Sequence, residues 1–411
     1  MKLEYFIAKR LIGAKSNKSS VSAPIIKIAI TAIVISMVMM LISVATGIGL
    51  QEKIREKVGA FNGHIVISNF DNNNSEVSIS PIQKSDELYE TLQNIPGITH
   101  LQAVATKGGI IRTETSFEGI ILKGVDSTFN WTVIKEYLEE GQVPDFSSKL
   151  TNDVLVSRFI ANRLNLKLGD EFNSFFMREE TDKPPFSRRF KIVGIFNSGL
   201  QEFDSNFVLG DLRHIQRFNK WQPNQVGNIE AFISDFNAIS TIGDQVYTQI
   251  PSTYNSYTIE QKYPNIFEWL KLFDFNIIVI IVFMILISAI NMIVALLVLI
   301  LERTQMIGIL KAMGASNWLI RKIFLYNAAY LILIGLAIGN VVGIGLLYIQ
   351  KNFEIVKLNP ENYYVDVAPV HIDWLFILSL NLGTILICLL ILLLPSYLIS
   401  KTAPSKAIRF Q

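Results

Sequence analysis

The chain has 411 residues, is 50% hydrophobic and carries a formal net charge of +2; its mean hydropathy is +0.36. That is too apolar for an ordinary soluble domain, and so small a net charge points to no nucleic-acid partner. The single cysteine, Cys388, excludes an intrachain disulfide and lies inside an apolar run, where it reads as a small core or lipid-facing residue.

Residues 1–23 begin with KLEYFIAKRLIGAK, in which Leu3, Phe6, Ile7, Leu11 and Ala14 share one helical face and Lys2, Lys9 and Lys15 lie off it. This predicts an amphipathic helix on a membrane surface. Residues 24–50 form the first of four apolar segments; 273–301, 323–348 and 374–400 are the others. A bilayer core of about 30 Å needs about 20 helical residues, so each segment is long enough to span. The first is too long and starts too late for a signal peptide, and no clear small-residue cleavage site follows it, so it reads as an uncleaved anchor.

Residues 51–272 read as a folded α+β domain. Strand-like stretches at 64–68, 119–123, 191–195 and 230–233 are interleaved with helix-like stretches at 84–93, 157–164 and 239–249. GHIVIS followed by KSDELYETLQNIPGITHLQAVA has the same strand–helix–strand order as EAFISDF followed by NAISTIGDQVYTQIPSTYNSYTIEQ. The pattern predicts two βαβ halves in one subdomain, with residues of about 125–222 inserted as a second. NNNS at 72–75 and DKPP at 182–185 mark loops.

Between the second and third apolar segments, ERTQMIGILKAMGASNWLIRK at 302–322 predicts a short amphipathic helix, with Gly308 permitting close approach and Gly314 a helix stop. Residues 349–373 form a short loop and 401–411 a tail. Lysine and arginine concentrate in 1–23, in 302–322 and in the tail; the 349–373 loop has Lys351 and Lys357 offset by Glu354, Glu361 and Asp366. The positive-inside rule therefore puts both termini and the 302–322 helix in the cytoplasm and residues 51–272 outside.

Missing motifs narrow the chemistry. No GxxxxGK[ST] sequence occurs, so the chain has no P-loop and is not expected to hydrolyse ATP. His64, His100, His214 and His371 are scattered, with no HExxH and no Cys/His cluster, so no metal site is expected; no GxSxG is present. The central polar residues of the apolar segments are neutral: Ser36, Ser43, Ser288, Asn291, Asn327, Asn340 and Asn381. An ion-coupled pump needs buried ionisable groups or broken helices, so any work must come from a partner. Gly335, Gly339 and Gly343 share one face of the third segment and serve either a helix of the same chain or a dimer seam. Met37, Met39 and Met40 are suited either to an adaptable acyl-chain surface or to lipid exposure.

The 302–325 stretch, ERTQMIGILKAMGASNWLIRKIFL, resembles the signature of the FtsX/MacB-like ABC permease superfamily. Many members have an acidic residue where this chain has Met306, so one polar contact to the ATPase that the resemblance implies does not carry over, while the role of the helix does. The arrangement of one span, a large external domain and three spans is also similar, as is VLVSRFIANRLNLKLGDEF at 154–172. With no fused ATPase and a domain larger than in FtsX-type regulators, the chain most resembles the lipoprotein-releasing permeases of the LolC/LolE type; RRFKIVGIFNSGLQEFDSNFVLGDL at 188–212 is similar to the stretch after their carrier-binding hook.

That resemblance implies an inner-membrane complex of two permease chains, copies or paralogues, with separate ATPase subunits that bind the ATP and Mg; the chain itself needs no cofactor. Such a complex takes a lipoprotein from the membrane lipid and passes it to a periplasmic carrier. Met306, Ile309, Leu310, Lys311, Met313, Gly314 and Ala315 are the expected ATPase-coupling residues. Met177, Pro184, Pro185 and Phe186, in MREETDKPPFS, are the expected carrier-binding residues if the chain is LolC-like. Met37, Met40, Val44, Ile48, Phe273 and Ile277 are the candidates for the lipid-substrate cavity. Two other readings stay open: a MacB-like mechanotransmission exporter of peptides or drugs, and an FtsX-like regulator of a cell-wall hydrolase. A neighbouring gene for an acyl-binding carrier, for a trans-periplasmic adaptor or for a coiled-coil hydrolase discriminates the three.

Overall fold

A computed structural model describes residues 3–13, 22–72, 75–178 and 184–397. The chain divides into two units, one of residues 1–50, 270–357 and 367–411, the other of residues 51–269 and 358–366.

The first unit is helical. Among the described residues four helices are long and apolar enough to cross a membrane, within Ser22–Asn62, Pro264–Glu302, Asn317–Phe353 and Trp374–Ser396. The first continues past residue 50 to Asn62, and the second begins at Pro264, so both also contribute residues to the other unit. Glycines explain how the first and third helices approach. A Cβ added to Gly335, Gly339 or Gly343 would lie 2.7–2.8 Å from Ile33, Met37 or Leu41. The stripe of small residues is thus filled by the chain's own first helix. Asn340 and Asn381 exchange side-chain hydrogen bonds of 2.7 and 3.1 Å between the third and fourth helices, so two of the neutral polar residues of the spans satisfy each other.

The N-terminal helix, Leu3–Gly13, packs on the third long helix. The Tyr5 and Tyr326 rings meet edge to face at 6.3 Å, and Lys322 approaches Glu4 at 3.7 Å. Its inward residue is Ala8, while Phe6 stays exposed beneath Arg10. Ala8, a small residue, allows close contact with the neighbouring helix, and Phe6 stays on the open side, free for a membrane surface. Ala14 and residues 401–411 lie outside the described residues.

The second unit is built on one ten-stranded sheet. In chain order its strands are β1 Ile65–Asn69, β3 Ile98–Arg112, β4 Phe117–Val125, β5 Leu138–Gly141, β6 Asp153–Ser157, β7 Glu171–Phe176, β8 Phe186–Phe196, β9 Phe207–Asp211, β11 Asn228–Ile233 and β12 Tyr254–Thr258; the short strands β2 Ile82–Gln83 and β10 Gln225–Val226 pair apart. The order β12-β1-β11-β3 interleaves two split βαβ halves: β1, helix Asp86–Gln93 and β3; β11, helix Ile239–Gln249 and β12. Residues between 138 and 211 supply β5 to β9, and β9 joins the flanking half by pairing parallel to β4.

Local sequence explains these elements. Helix Asp86–Gln93 starts at Ser85, whose hydroxyl accepts from Leu88 N at 3.3 Å, and buries Leu88 and Leu92, one turn apart. Helix Arg158–Leu164 is capped by Ser157 and ends at Asn165, with φ of 54°. The Gly-Asp turn after it closes when Asp170 accepts from Lys167 N at 2.8 Å, with Gly169 at φ +88°.

Candidate functional site

The turn between the second and third long helices contains helix Thr304–Ala312. Its stop is a Schellman motif: Ala315 N donates to Leu310 O at 2.9 Å and Gly314 N to Lys311 O at 3.0 Å, with Gly314 at φ +87°. Ser316 then caps the third long helix through Leu319 N. Residues 317–322, expected in the amphipathic helix, belong instead to the third long helix.

This short helix has two apolar sides. Ile307 and Gly308 are buried, and Met306, Leu310 and Ala315 pack against the core of the membrane unit. Ile309 is 48% exposed and Met313 79% exposed; Gly314 is also exposed, and Lys311 is half-buried. Of the seven residues expected at an ATPase contact, Ile309, Met313 and Gly314 form the open side. Met306, Leu310 and Ala315 are half-buried, each with one side on the membrane-unit core. Sequence reading missed Trp318, 52% exposed in the first turn of the next helix, with Arg321 and Lys322 within 5.8 Å of its ring. The signal was a large aromatic directly after a helix cap. Arg321 also donates to Ser396 Oγ and Leu393 O, both at 3.2 Å, joining the start of the third long helix to the end of the fourth.

The lipid-cavity candidates separate. Met37 and Met40 are fully buried, Met37 against Gly339, so they are corrected to helix-packing residues. Ile277 is buried against Gly47, and Phe273 is half-buried. Val44 and Ile48 line an apolar cleft with Leu347, Phe376 and Leu380, with His371 and Asp373 also on its wall.

In the domain, Met177, Pro184 and Pro185 are exposed, and Pro185 borders a cleft with Ile110, Phe117 and Phe175. Phe186 opens β8 and stacks on Phe218 at 5.3 Å, with the Arg178 guanidinium 3.9 Å from its ring. It anchors the loop rather than presenting it, which corrects its expected role. Residues 179–183 of that loop lie outside the described residues.

Where the first long helix ends, the sheet holds it. Lys123 of β4, fully buried, donates to the carbonyl of Phe61 and to Glu230 of β11. Glu230 also accepts from Gln102 Nε2 at 2.7 Å, and Gln102 Oε1 accepts from Asn130 N at 3.0 Å. Burial pushes the Lys123 pKa below the ordinary lysine value, and the Glu230 carboxylate opposes that fall. Asn62 accepts from Tyr263 OH at 3.0 Å and from Lys262 Nζ at 3.3 Å. The last residue of the first long helix is thereby tied to the two residues that precede the second. Among the described residues no three His, Cys, Asp or Glu side chains are grouped to hold a metal.

Four membrane-length helices in one unit and a large α+β domain in the other, with an apolar turn left open between two of the helices, are the parts of an ABC transporter permease. The MacB-like periplasmic core domain model matches residues 28–254, and the FtsX-like permease C-terminal model matches residues 278–404. The chain belongs to the FtsX/MacB-like ABC permease family, in which LolC and LolE also stand. An uncharacterized membrane protein of Buchnera aphidicola is 25% identical over 99% of each chain. The lipoprotein-releasing system transmembrane protein LolE of Haemophilus influenzae is 20% identical over 99% of each. The LolC of Neisseria meningitidis serogroup B is 21% identical over 100% of this chain and 99% of its own.

Proposed function

We propose that this permease extracts lipoproteins from the inner membrane and hands them to a soluble periplasmic carrier, driven by a separate ATPase subunit that binds ATP and Mg. A second permease chain, a copy or a paralogue, completes the complex. The observation that carries this reading is the end-to-end similarity to proteins named for lipoprotein release, which takes in the domain as well as the spans. The physical task fits an ATP-driven machine, since each acyl CH2 leaving lipid costs about 0.8 kcal/mol and several chains must leave together.

In this reading both termini and helix Thr304–Ala312 are cytoplasmic, and Ile309, Met313, Gly314 and Trp318 meet the ATPase. A groove-and-helix contact of this kind needs a few apolar anchors on a short rigid element. Val44, Ile48 and Phe273 face the lipid part of the substrate at some stage of the cycle, while Ile277 packs against Gly47. The loop carrying Met177, Pro184 and Pro185 meets the carrier, because its prolines stiffen it and its apolar residues stay exposed. The test is depletion of the chain in cells followed by membrane fractionation. Lipoproteins destined for the outer membrane accumulate in the inner membrane if the reading holds; unchanged distribution rejects it.

A further inference from the structure

Residues 358–366 lie in the chain between the third and fourth long helices, yet they pack as part of the domain unit. One residue explains how they are held. Lys57, on the first long helix, is 2% exposed, and its ammonium donates to two peptide carbonyls: Ser198 O at 2.5 Å and Tyr364 O at 2.9 Å. The Tyr137 ring lies 4.5 Å away. A buried ammonium is costly unless its donors are met, and both acceptors are built to meet it.

Ser198 is fixed by Asp204, which accepts from Ser198 Oγ at 2.7 Å and from Gly199 N at 2.9 Å. Gly199 has φ +70°, and a Cβ there would come within 3.5 Å of the Pro360 Cβ. Tyr364 has φ +60°, an uncommon conformation for a residue with a side chain. Its ring packs edge to face on Trp269 at 5.6 Å, and Val365 beside it is buried. Asp366 and Asp204 add attraction from further away. Three segments distant in sequence therefore converge on one lysine.

We propose that Lys57 is a positioning residue for transport: it clasps the connection between the third and fourth spans to the domain beside the first helix, so that nucleotide-driven movement of those spans reaches the domain through a second strap. The clasp rests on the permease class, and its part in release rests on the lipoprotein reading above.

The experiment uses the full chain reconstituted with its ATPase, with spin labels on two exposed residues, Glu87 of the domain and Gln305 of the coupling helix. Wild type shows a shift in label distance on adding ATP, and Lys57→Met abolishes most of it while inserting and melting as a folded protein. A disulfide between Gly199→Cys and Pro360→Cys, whose Cβ separation suits the bond, then restores the shift in the Lys57→Met background, and reduction removes it again; the strain of a cysteine at φ +70° is controlled by the same pair with Lys57 intact, which keeps the wild-type shift. The native Cys388 is buried in the fourth long helix. A wild-type distance that ATP leaves unmoved, a full response in Lys57→Met, or a loss that the disulfide does not restore overturns the clasp. Lipoprotein release is scored in parallel: a restored distance shift with no release even in wild type sinks the lipoprotein reading and leaves the clasp standing.

Discussion

Lys123→Met removes the ammonium that faces Glu230 and the donor that closes the end of the first long helix at Phe61. The two side chains are 3% and 4% exposed, so water does not replace the lost partner. Breaking a buried pair from one side costs about 3–5 kcal/mol, because the remaining charge is left uncompensated. Gln102 still donates to Glu230, which pulls the cost toward the lower end. The orphaned Phe61 carbonyl adds about 1 kcal/mol, and methionine fills nearly the same volume as lysine, so no large cavity term enters. The sum is about 4 kcal/mol, equivalent to roughly a thousandfold faster opening. Hydrogen exchange of the intact protein in detergent reads it at β4, at β11 and at residues 58–62. Lys123→Met/Glu230→Gln, which neutralises both partners, recovers about 2 kcal/mol of that loss. Exchange accelerated less than about tenfold in Lys123→Met, or a double variant no more protected than the single, refutes the reasoning.

Met313→Asp and Ile309→Asp each weaken capture of the ATPase subunit at least tenfold (about 1.4 kcal/mol) and leave the melting of the permease unchanged; Leu310→Asp instead destabilises the membrane unit, and the reverse pattern in pull-down and melting assays rejects the assignment of faces. His64 accepts from Ile233 N at 3.0 Å, and burial lowers its pKa from 6.5 to about 4. Because the folded-state value lies below the unfolded one, stability present above pH 6.5 is lost as pH falls toward 4, by up to about 3 kcal/mol. His214, held near the same value by burial, contributes likewise, so His64→Gln halves the acid sensitivity of the thermal midpoint; an unaltered pH profile contradicts this. Deleting residues 181–185, which spares the Phe186 anchor, abolishes carrier binding in a pull-down while ATP hydrolysis by the assembled complex persists, and unchanged carrier affinity removes the loop from that role.

Spans, domain and the helical turn between the second and third spans were readable from residue pattern because each rests on a strong local signal: long apolar runs, alternation in stretches such as HIVIS, and a glycine where a left-handed residue ends a helix. The side of helix Thr304–Ala312 that faces outward was not. Ile307, Ile309 and Leu310 are equally apolar, and burial was decided by what the third long helix and the rest of the bundle place beside them. Met37 looked like a flexible lipid contact because nothing local shows that Gly339 lies against it. Lys57 and Lys123 were harder still. A lysine in QEKIREKVGAF or in GIILKGV reads as solvated, since the default for a charge is water; only distant carbonyls, from Ser198, Tyr364 and Phe61, turn each into a buried fastener. The 349–373 loop likewise read as a plain connection, although part of it belongs to the domain.

The central claim is tested most directly by placing the chain, its ATPase subunit and any partner permease in liposomes with a labelled triacylated lipoprotein, and counting label transferred to a soluble acyl-binding acceptor. The account predicts transfer that requires ATP, the ATPase subunit and the acceptor together, with neither transfer nor ATP hydrolysis by the chain alone. Transfer that proceeds equally without ATP, or an active ATPase complex that leaves the lipoprotein in the membrane, contradicts it.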